Sequence, residues 1–350
     1  MKLLLDYNLT QLEEELAKFG KPKFVARQIY DWLNKGRDFD EMTNVAKEFR
    51  AVLKQNYLAQ GLVIEQKIVG ADKTVKYLYK LSDGNIIEGV LMSYAYGNTL
   101  CVSTQVGCRM GCTFCASTIG GLVRNLSAGE ILSQVTAANR DAGGERGVTN
   151  IVLMGSGEPL DNYGNVVAFL RLVSGKDGLN VSCRNISLST SGLVDKMLML
   201  AEENLPVNLT VSLHAPTQEA RERIMPVAKA NKLADVIAAA RNYFGKTGRR
   251  VYFEYTLIDG INDSFADAEN LSKLLWGMSA HVNLIRLNPV KESNHKPTPS
   301  KNAYAFAEKL EKLGVSATVR RQTGADIDGA CGQLRRKYLA KSGANNGNNC

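Results

Sequence analysis

The sequence predicts an α/β fold: a partial (β/α)6 barrel with an N-terminal helical domain and a small antiparallel β extension. Two observations predict it. After a cysteine-rich loop near residue 110, strand-like and helix-like segments alternate, as in parallel sheets with right-handed crossovers. Before that loop, helical periodicity gives way to short β-rich stretches separated by turn residues. A chain of 350 residues, 45% hydrophobic and 22% charged, is long enough for one large globular domain and a smaller one.

The helical domain is predicted at residues 1–61. A capping-box pattern at residues 10–13 predicts the start of the first helix, and Gly20 and Pro22 end it. Two further helices are predicted at residues 24–33 and 40–57. Residues 62–98 form the predicted antiparallel extension, with turn residues between its strands. These strands are predicted at residues 62–69, 75–81 and 85–92, and a fourth at 99–106 leads into the cysteine loop.

The barrel is predicted at residues 99–334. Its further strands are predicted at residues 150–154, 185–190, 207–213, 251–257 and 281–287, so six strands enter the unit. The helices between them are predicted at residues 127–142, 166–173, 194–201, 233–244 and 265–278, with a last helix at 301–313 and a strand at 316–320. Six strands are too few for a closed eight-stranded barrel, and functional groups are expected at the carboxyl ends of the strands. Residues 335–350 are predicted to be a basic and then disordered tail.

Three cysteines carry the clearest chemical signal. Cys108, Cys112 and Cys115 have the spacing C-x3-C-x2-C, with no fourth cysteine or histidine inside the loop. Three thiolates can bind three irons of one 4Fe–4S cluster, which leaves the fourth iron open to chelate a small molecule and pass it an electron. For this spacing the expected molecule is S-adenosyl-L-methionine, a carrier of radical chemistry. The sequence therefore predicts an enzyme that makes a carbon radical.

Other uses of the cysteines fit less well. Structural zinc needs four ligands, usually in two separated pairs, and adding Cys101 gives a spacing that is not usual for zinc. A disulfide framework does not suit a long chain with seven cysteines, an odd number. Taken alone, Cys101 and Cys331 are more often small buried residues than catalytic ones. Cys183 and Cys350 are interpreted as incidental.

Residues that can contact a ligand lie at the ends of several predicted barrel strands. They are Gly157 and Glu158 in a Gly-Ser-Gly-Glu-Pro segment, and the polar residues Ser189, Ser212, His214 and Asn288. Glycines allow the backbone to approach a ligand closely, and Glu158 can accept hydrogen bonds from an ammonium group. Each residue alone is more often a turn or capping residue. Because the carboxyl ends of parallel strands share one rim, the set predicts a cofactor pocket.

The net charge of +8 is unevenly distributed. Residues 291–350 carry 11 basic and 5 acidic side chains, an excess of six that is three quarters of the total. Such a stretch suits a phosphate backbone, and a solvated basic tail is an equal alternative. No long apolar run is present, so neither a signal peptide nor a membrane span is predicted. Reduced thiols and an oxygen-sensitive cluster then indicate the cytoplasm.

Motifs along most of the chain resemble one family. Besides the cysteine loop, they lie at residues 99–107, 124–126, 155–159, 189–192, 212–216, 288–289 and 326–334. Over residues 24–334 the chain resembles the radical S-adenosylmethionine methyltransferases of 23S ribosomal RNA. In particular it resembles the dual-specificity group that methylates carbon 2 of adenine in 23S ribosomal RNA and in transfer RNA. The resemblance implies a radical-SAM barrel, these two RNA partners, an external electron donor such as flavodoxin or ferredoxin, and a monomer.

The resemblance also implies roles at matching positions. Cys108, Cys112 and Cys115 bind the cluster. Cys331 carries the methyl group, Cys101 resolves an RNA adduct, and Glu88 accepts a proton. From the residues alone, Glu88 is interpreted only as an outward-facing strand carboxylate. The implied S-adenosylmethionine contacts are Gly157, Glu158, Ser189, Ser212, Leu213, His214 and Asn288.

The implied route explains the two extra cysteines. Carbon 2 of adenine has neither a lone pair nor an acidic proton, so direct polar attack on a sulfonium methyl is not available. Two S-adenosylmethionine molecules are used per methylation: one methylates Cys331, and the other yields a 5′-deoxyadenosyl radical that takes hydrogen from that methyl group. The methylene radical adds to the ring. Proton loss and attack by Cys101 on the Cys331 sulfur release methyladenine and leave a disulfide.

The adenine must leave its stack to reach these groups, and residues 1–61 and the basic C-terminal stretch are the candidate RNA contacts. Ser156 departs from the methionine expected between the two glycines, which affects packing around the cofactor. The main alternative is a methyltransferase for carbon 8 of the same adenine. A radical enzyme that activates a protein, and a non-enzymatic RNA-binding iron–sulfur or zinc protein, are the alternatives from other classes.

Overall fold

The computed structural model describes residues 1–143, 147–288 and 293–321, together with Gly324, Ile327 and Tyr338. Cys331, and the predicted tail at residues 335–350 apart from Tyr338, lie outside the described residues. Among the helices of the described segments, none combines the length and the apolar character needed to cross a membrane.

Three helices dominate the N-terminal region: α1 (Leu9–Ala17), α2 (Lys23–Asn34) and α3 (Lys47–Asn56). The capping box predicted at residues 10–13 is wrong, because Asn8 is the N-cap of helix α1. The Asn8 side chain accepts from the Gln11 amide and the Gln11 side chain accepts from the Asn8 amide, both at 2.9 Å. The pair satisfies two N–H groups that helix α1 itself leaves without a partner.

Helix α3 is shorter than predicted. Residues 39–41 form a separate 3-10 turn that Asp38 caps, so the α-helix begins only at Lys47. The two ends of the N-terminal region meet in a parallel pair of short strands, β1 (Lys2–Leu3) and β2 (Tyr57–Leu58). This pairing has no sequence signal, since each strand has only two residues.

Four antiparallel strands follow: β3 (Leu62–Val69), β4 (Val75–Leu81), β5 (Ile86–Tyr94) and β6 (Gly97–Cys101). The single strand predicted at residues 99–106 is wrong, because the chain turns out of the sheet after Cys101. The Thr104 and Gln105 amides both donate to the Ser156 carbonyl, at 2.9 and 3.1 Å. The chain then forms β7 (Gln105–Gly107), which pairs with β8 (Leu122–Asn125) on the far side of the cysteine loop.

The α/β fold class is confirmed by the second half of the chain. Strand β6 pairs in parallel with β9, and the strand predicted at residues 316–320 joins the sheet as a seventh parallel strand, β14. The strands are β9 (Asn150–Leu153), β10 (Ile186–Thr190), β11 (Asn208–Ser212), β12 (Val251–Leu257), β13 (Ala280–Arg286) and β14 (Ala317–Val319). They form one ten-stranded sheet in the order β14-β13-β12-β11-β10-β9-β6-β5-β4-β3. Strand β6 is therefore where the parallel and antiparallel parts join.

Helices cover one face of the parallel part. They are α4 (Ala128–Asp141), α5 (Tyr163–Ser174), α6 (Val194–Glu202), α7 (Gln218–Ile224), α8 (Leu233–Thr247), α9 (Phe265–Leu275) and α10 (Ser300–Lys312). Helix α7 was not predicted. Val211, Phe253 and Val282, in the middle of adjacent strands, are completely buried. Each such side chain contributes about 1.5–3 kcal/mol through burial, so the strands are held firmly and their carboxyl ends form a rigid rim.

Candidate active site

A cavity of about 700 Å³ opens at the carboxyl ends of the parallel strands. Most of the predicted site residues in the described part of the chain line it: Cys101, Cys108, Cys112, Cys115, Gly157, Glu158, Ser189, Ser212, His214 and Asn288. The two others, Leu213 and Glu88, are buried and do not line the cavity. The chain thus brings residues from six of the parallel strands and from the cysteine loop to one space.

The cysteine loop lies between strands β7 and β8. Gly107 enters it with φ +79°, and a Cβ there would lie 2.0 Å from the Gly121 carbonyl oxygen, so only glycine fits. The Cys108 amide donates to that same carbonyl at 3.0 Å. The Thr118 hydroxyl donates to the Cys115 carbonyl at 2.9 Å. These bonds fix the two ends of the loop against each other and turn its thiols toward the cavity.

Burial favours the protonated form of two of the loop thiols. It raises the pKa of Cys108 to about 12, and it raises the pKa of Cys112 as well. Metal ligation requires thiolates, so iron must displace these protons. In the described part of the chain, no three His, Cys, Asp or Glu side chains converge on a point where one ion could bind. A 4Fe–4S cluster needs no such convergence, because each thiolate binds a different iron, and the all-thiol donor set fits it.

The glycine-rich turn after strand β9 is packed against the segment that follows β6. A Cβ on Gly155 would lie 2.6 Å from the Val102 carbonyl oxygen, and one on Gly157 would lie 2.6 Å from the Gln105 Cβ. Gly157 also has φ +110°, which side-chain-bearing residues rarely adopt. Both glycines are therefore required by close backbone approach. Ser156 between them is buried, and its amide donates to the Ser103 hydroxyl at 3.0 Å.

Glu158 is a buried carboxylate on the wall of the cavity. One oxygen accepts from the Leu160 amide at 3.0 Å and the other from the Ser191 amide at 2.6 Å. Burial raises its pKa, and the two backbone donors partly oppose that effect. Each carboxylate oxygen has a second lone pair. The group is therefore held rigidly and can still accept a hydrogen bond from a cationic ligand in the cavity.

Ser189 and Ser212 end two neighbouring strands, with their hydroxyl oxygens 3.4 Å apart. Behind them lies Arg221 of helix α7, which is completely buried. Its guanidinium donates to the carbonyl oxygens of Ser191, Ser212, Leu213 and Asn231, at 2.5, 3.3, 3.2 and 3.4 Å. Burial lowers its pKa to about 10, so it stays charged at neutral pH. Sequence reasoning missed Arg221, because an arginine in a Glu-Ala-Arg-Glu-Arg segment looks solvent-exposed.

His214 follows strand β11 in a left-handed backbone conformation, with φ +57°. The side-chain amide of Asn262 donates to the His214 carbonyl at 2.7 Å, and the His214 Nδ1 accepts from the backbone amide of Thr256 at 2.9 Å. Burial, with a smaller contribution from Arg221, lowers the pKa of His214 to about 3. The ring is therefore neutral at physiological pH. It packs edge-on against Phe114 of the cysteine loop, with ring centroids 4.9 Å apart, and so joins the rim to that loop.

Cys101 and Glu88 lie on the antiparallel side of the cavity. Cys101 pairs with Val90 across strands β5 and β6, and side chains two apart on a strand share a face, so Glu88 and Val90 lie in one row. The interpretation of Glu88 as outward-facing is wrong. Its carboxylate is buried and lies 3.5 Å from the ammonium group of Lys76, which is also buried. The alternation of side chains along strand β5 was predicted correctly. It could not show that the face of the strand that carries Glu88 is covered by the rest of the protein.

Glu254 and Arg320 also line the cavity and were not predicted as site residues. Glu254 is buried in strand β12, where its carboxylate accepts from Asn283 at 3.0 Å and from Arg320 at 3.4 Å. Burial raises its pKa, although the arginine opposes this. A charged residue within the apolar run of a central strand is a signal that could have identified Glu254. Arg320 had none beyond the basic character of its segment.

This geometry agrees with known families. Residues 102–271 match the Radical SAM superfamily, and residues 3–58 match the Ribosomal RNA large subunit methyltransferase N-terminal domain. A radical SAM methyltransferase from Sphaerobacter thermophilus has a similar structure, with a TM-score of 0.92 and 44% identity, covering 95% of this chain and 99% of that one. The chain is therefore a radical SAM enzyme.

Two curated relatives define the family more closely. The chain is 52% identical to the "Probable dual-specificity RNA methyltransferase RlmN" of Lachnoclostridium phytofermentans, over 95% of this chain and 94% of that protein. It is 51% identical to the protein of the same name from Alkaliphilus oremlandii, over 96% of this chain and 98% of that protein. The chain belongs to the RlmN family of radical SAM RNA methyltransferases. Its cofactors are a 4Fe–4S cluster and S-adenosylmethionine.

Proposed function

We propose that this enzyme transfers a methyl group to carbon 2 of adenine in 23S ribosomal RNA and in transfer RNA. The observation that carries the proposal is the shared cavity, where the cysteine loop, the strand-end rim and Cys101 face one another. Gly324, a short way along the chain before Cys331, lines the same cavity. The two relatives are named as probable dual-specificity RNA methyltransferases, which supports the proposal of two RNA substrates.

The cofactor residues have separate tasks in this proposal. Cys108, Cys112 and Cys115 hold the cluster. Glu158 accepts from the ammonium group of S-adenosylmethionine. Burial raises the pKa of Glu158, and a bound ammonium group would oppose that effect. The other contacts at the rim are Gly157, Ser189, Ser212, Leu213, His214 and Asn288. When bound, the cluster and two S-adenosylmethionine molecules supply the methyl group and the carbon radical that adenine carbon 2 requires.

Three residues of the chain act on the RNA side. Cys331 carries the methyl group as a thioether and links protein to RNA through its methylene carbon. Glu88 accepts the proton lost from adenine carbon 2, and the Lys76 ammonium group lies 3.5 Å from its carboxylate. Cys101, as a thiolate, then attacks the Cys331 sulfur. The carbon–sulfur bond to the base breaks, a disulfide forms, and methyladenine leaves after taking up a proton. The unpaired electron of the base adduct would return to the cluster when Glu88 takes the proton. An external reductant such as flavodoxin or ferredoxin would supply the one electron that starts S-adenosylmethionine cleavage and the two electrons that reduce the disulfide.

The domain roles follow from this proposal. Residues 1–61 and the basic stretch after residue 291 contact RNA, residues 62–98 support Glu88, and residues 99–334 hold the cofactors and the cysteine pair. We propose a monomer, because these regions together supply every residue that the reaction uses. Since the proposed substrates are ribosomal and transfer RNA, the enzyme acts in the cytoplasm.

Mass spectrometry of digested RNA tests the proposal directly. Ribosomal and transfer RNA from cells with and without this protein are compared for 2-methyladenosine and 8-methyladenosine. We expect 2-methyladenosine to disappear from both RNA classes when the protein is absent. Loss of 8-methyladenosine instead would establish the carbon 8 alternative. An unchanged level of both nucleosides would overturn the proposal.

A further inference from the structure

Two stacked tyrosines stand where the hairpin between strands β5 and β6 meets the mouth of the cavity. The rings of Tyr94 and Tyr96 have centroids 5.0 Å apart and planes only 8° from parallel. Tyr94 lines the cavity, whereas Tyr96 is 70% exposed. The pair therefore forms a short aromatic column that begins in the cavity wall and ends in solvent.

The hairpin that carries the column is firmly anchored. Gly97 has φ +129°, and a Cβ there would lie 2.2 Å from the Thr149 hydroxyl oxygen, so the turn packs directly against the start of strand β9. The Thr149 amide and hydroxyl both donate to the Asn98 carbonyl, at 2.9 and 3.0 Å. The exposed Tyr96 ring is thus presented on a fixed support, and a ligand that packs on it loses little protein entropy.

Two arginines lie beside the column. Arg320 and Arg321 line the same cavity, and Arg321 is exposed. Both arginines lie close enough to Tyr94 to favour the charged form of its phenol, against the larger effect of burial, which raises its pKa. Two carboxylates oppose these charges. Glu254 pairs with Arg320 at 3.4 Å, and Asp72 accepts from the Gly324 amide at 2.9 Å. An aromatic column beside two guanidinium groups is the combination that binds single-stranded nucleic acid.

We propose that Tyr96 and Tyr94 form a stacking platform for an RNA base next to the adenine that enters the cavity. The inference rests on the proposed function, because that function requires an adenine taken out of its stack. A base adjacent to the extruded adenine loses its stacking partner. Packing on the open side of Tyr96 restores a partner, while the exposed Arg321 meets the phosphates. A single exposed aromatic residue is ordinary, but a parallel pair that leads from solvent into the substrate cavity is not.

The test compares three variants of the intact enzyme carrying its cluster. Tyr96→Ala removes the exposed ring, Tyr96→Phe keeps it without the hydroxyl, and Tyr304→Ala removes a tyrosine that is 63% exposed on helix α10 and does not line the cavity. Binding of fluorescein-labelled, unmodified transfer RNA is measured by anisotropy. Methylation is measured as KM and kcat for the same RNA. Thermal unfolding checks that each variant is folded.

Tyr96→Ala should weaken RNA binding about 5-fold to about 100-fold, as for the loss of one base stack, and should raise KM for RNA much more than it lowers kcat. Tyr96→Phe and Tyr304→Ala should bind RNA within about 2-fold of wild type, because neither removes a stacking surface at the mouth. Unfolding temperatures should not change, since Tyr96 is mostly in solvent. A purely structural role would lower the unfolding temperature and leave KM alone.

Two results would overturn the platform. The first is that Tyr96→Ala binds and methylates transfer RNA with wild-type affinity and KM. The second is that Tyr304→Ala loses as much affinity for transfer RNA as Tyr96→Ala does. Failure of the proposed function looks different, since the wild-type enzyme itself would then neither bind nor methylate RNA. In that case the platform falls together with the function on which it rests.

Discussion

The buried Arg221 is the residue on which the shape of the cofactor rim most depends. Its guanidinium joins the carbonyl oxygens of Ser191, Ser212 and Leu213 at the ends of strands β10 and β11. A fourth hydrogen bond goes to the Asn231 carbonyl, just before helix α8. Arg221→Lys keeps the positive charge but replaces a planar fork with a point donor on a thinner stem. We expect the substituted side chain to satisfy one of the four carbonyl oxygens and to leave the rest unpaired.

The cost can be worked out from that count. Three lost bonds at about 1 kcal/mol each destabilise the protein by about 3 kcal/mol. A chain of 350 residues has an unfolding entropy of about 0.7 kcal/mol/K, so Tm should fall by about 4 °C. Displacement of Ser189 and Ser212 should also weaken S-adenosylmethionine binding about 10-fold, which corresponds to about 1.4 kcal/mol.

Differential scanning fluorimetry and calorimetric titration with S-adenosylmethionine measure the two effects. Arg171→Lys is the matched control, because the Arg171 side chain is 62% exposed and pairs with Glu203 at the surface. That control should shift Tm by less than about 1 °C and leave cofactor affinity unchanged, since exposed ion pairs contribute about 0–1 kcal/mol. If Arg221→Lys behaves like Arg171→Lys in both measurements, the guanidinium does not organise the rim.

Four further predictions concern the cysteines and Glu88. Cys112→Ala should abolish the brown absorbance of the cluster and all S-adenosylmethionine cleavage, and full iron content in that variant would contradict the assignment. Cys331→Ala should keep the cluster but yield no methylated RNA; normal methylation would refute its role as carrier. Cys101→Ala should trap protein covalently on RNA, seen as a nuclease-sensitive band on a denaturing gel, whereas Cys183→Ala, at an equally buried cysteine, should trap none. Glu88→Gln removes the charge partner of a buried lysine, which costs about 3–5 kcal/mol, and should slow release of the adduct; methylation at the wild-type rate would argue against a role as proton acceptor.

The sequence predicts the parallel part of the fold well because each strand and helix there has its own local pattern. The strand predicted at residues 251–257 agrees with strand β12 at both ends, since three apolar or β-branched residues stand on each side of Glu254. The fourth antiparallel strand was predicted wrongly for a non-local reason. Nothing in residues 99–106 shows that the Ser156 carbonyl will draw the chain away after Cys101.

The site residues also differ in whether a local sequence pattern or only a non-local contact identifies them. Loop and strand-end positions such as Cys108 and Glu158 are visible in sequence because spacing and glycine turns mark them. Arg221 acts only through carbonyl oxygens on two other elements, so its partners are unknown until the chain is folded. Glu88 illustrates a third case. Its strand periodicity is clear, but whether its face meets water or the rest of the molecule depends on a register with Lys76 and Cys101 that the sequence does not contain.

That register explains why the antiparallel extension is fused to the barrel instead of being attached by a linker. Strand β6 pairs with β9 on one side and with β5 on the other, so Cys101 is placed by the parallel sheet while Val90, in the row of Glu88, is paired directly opposite it. A hinge between the two units would let this pairing slip, and a slip of one residue would turn Glu88 to the opposite face. Continuous hydrogen bonding therefore ties the proposed proton acceptor and the proposed resolving thiol to the rim that binds the cofactor. The chemistry needs that rigidity, because a misplacement of about 1 Å can cost about 100-fold in rate.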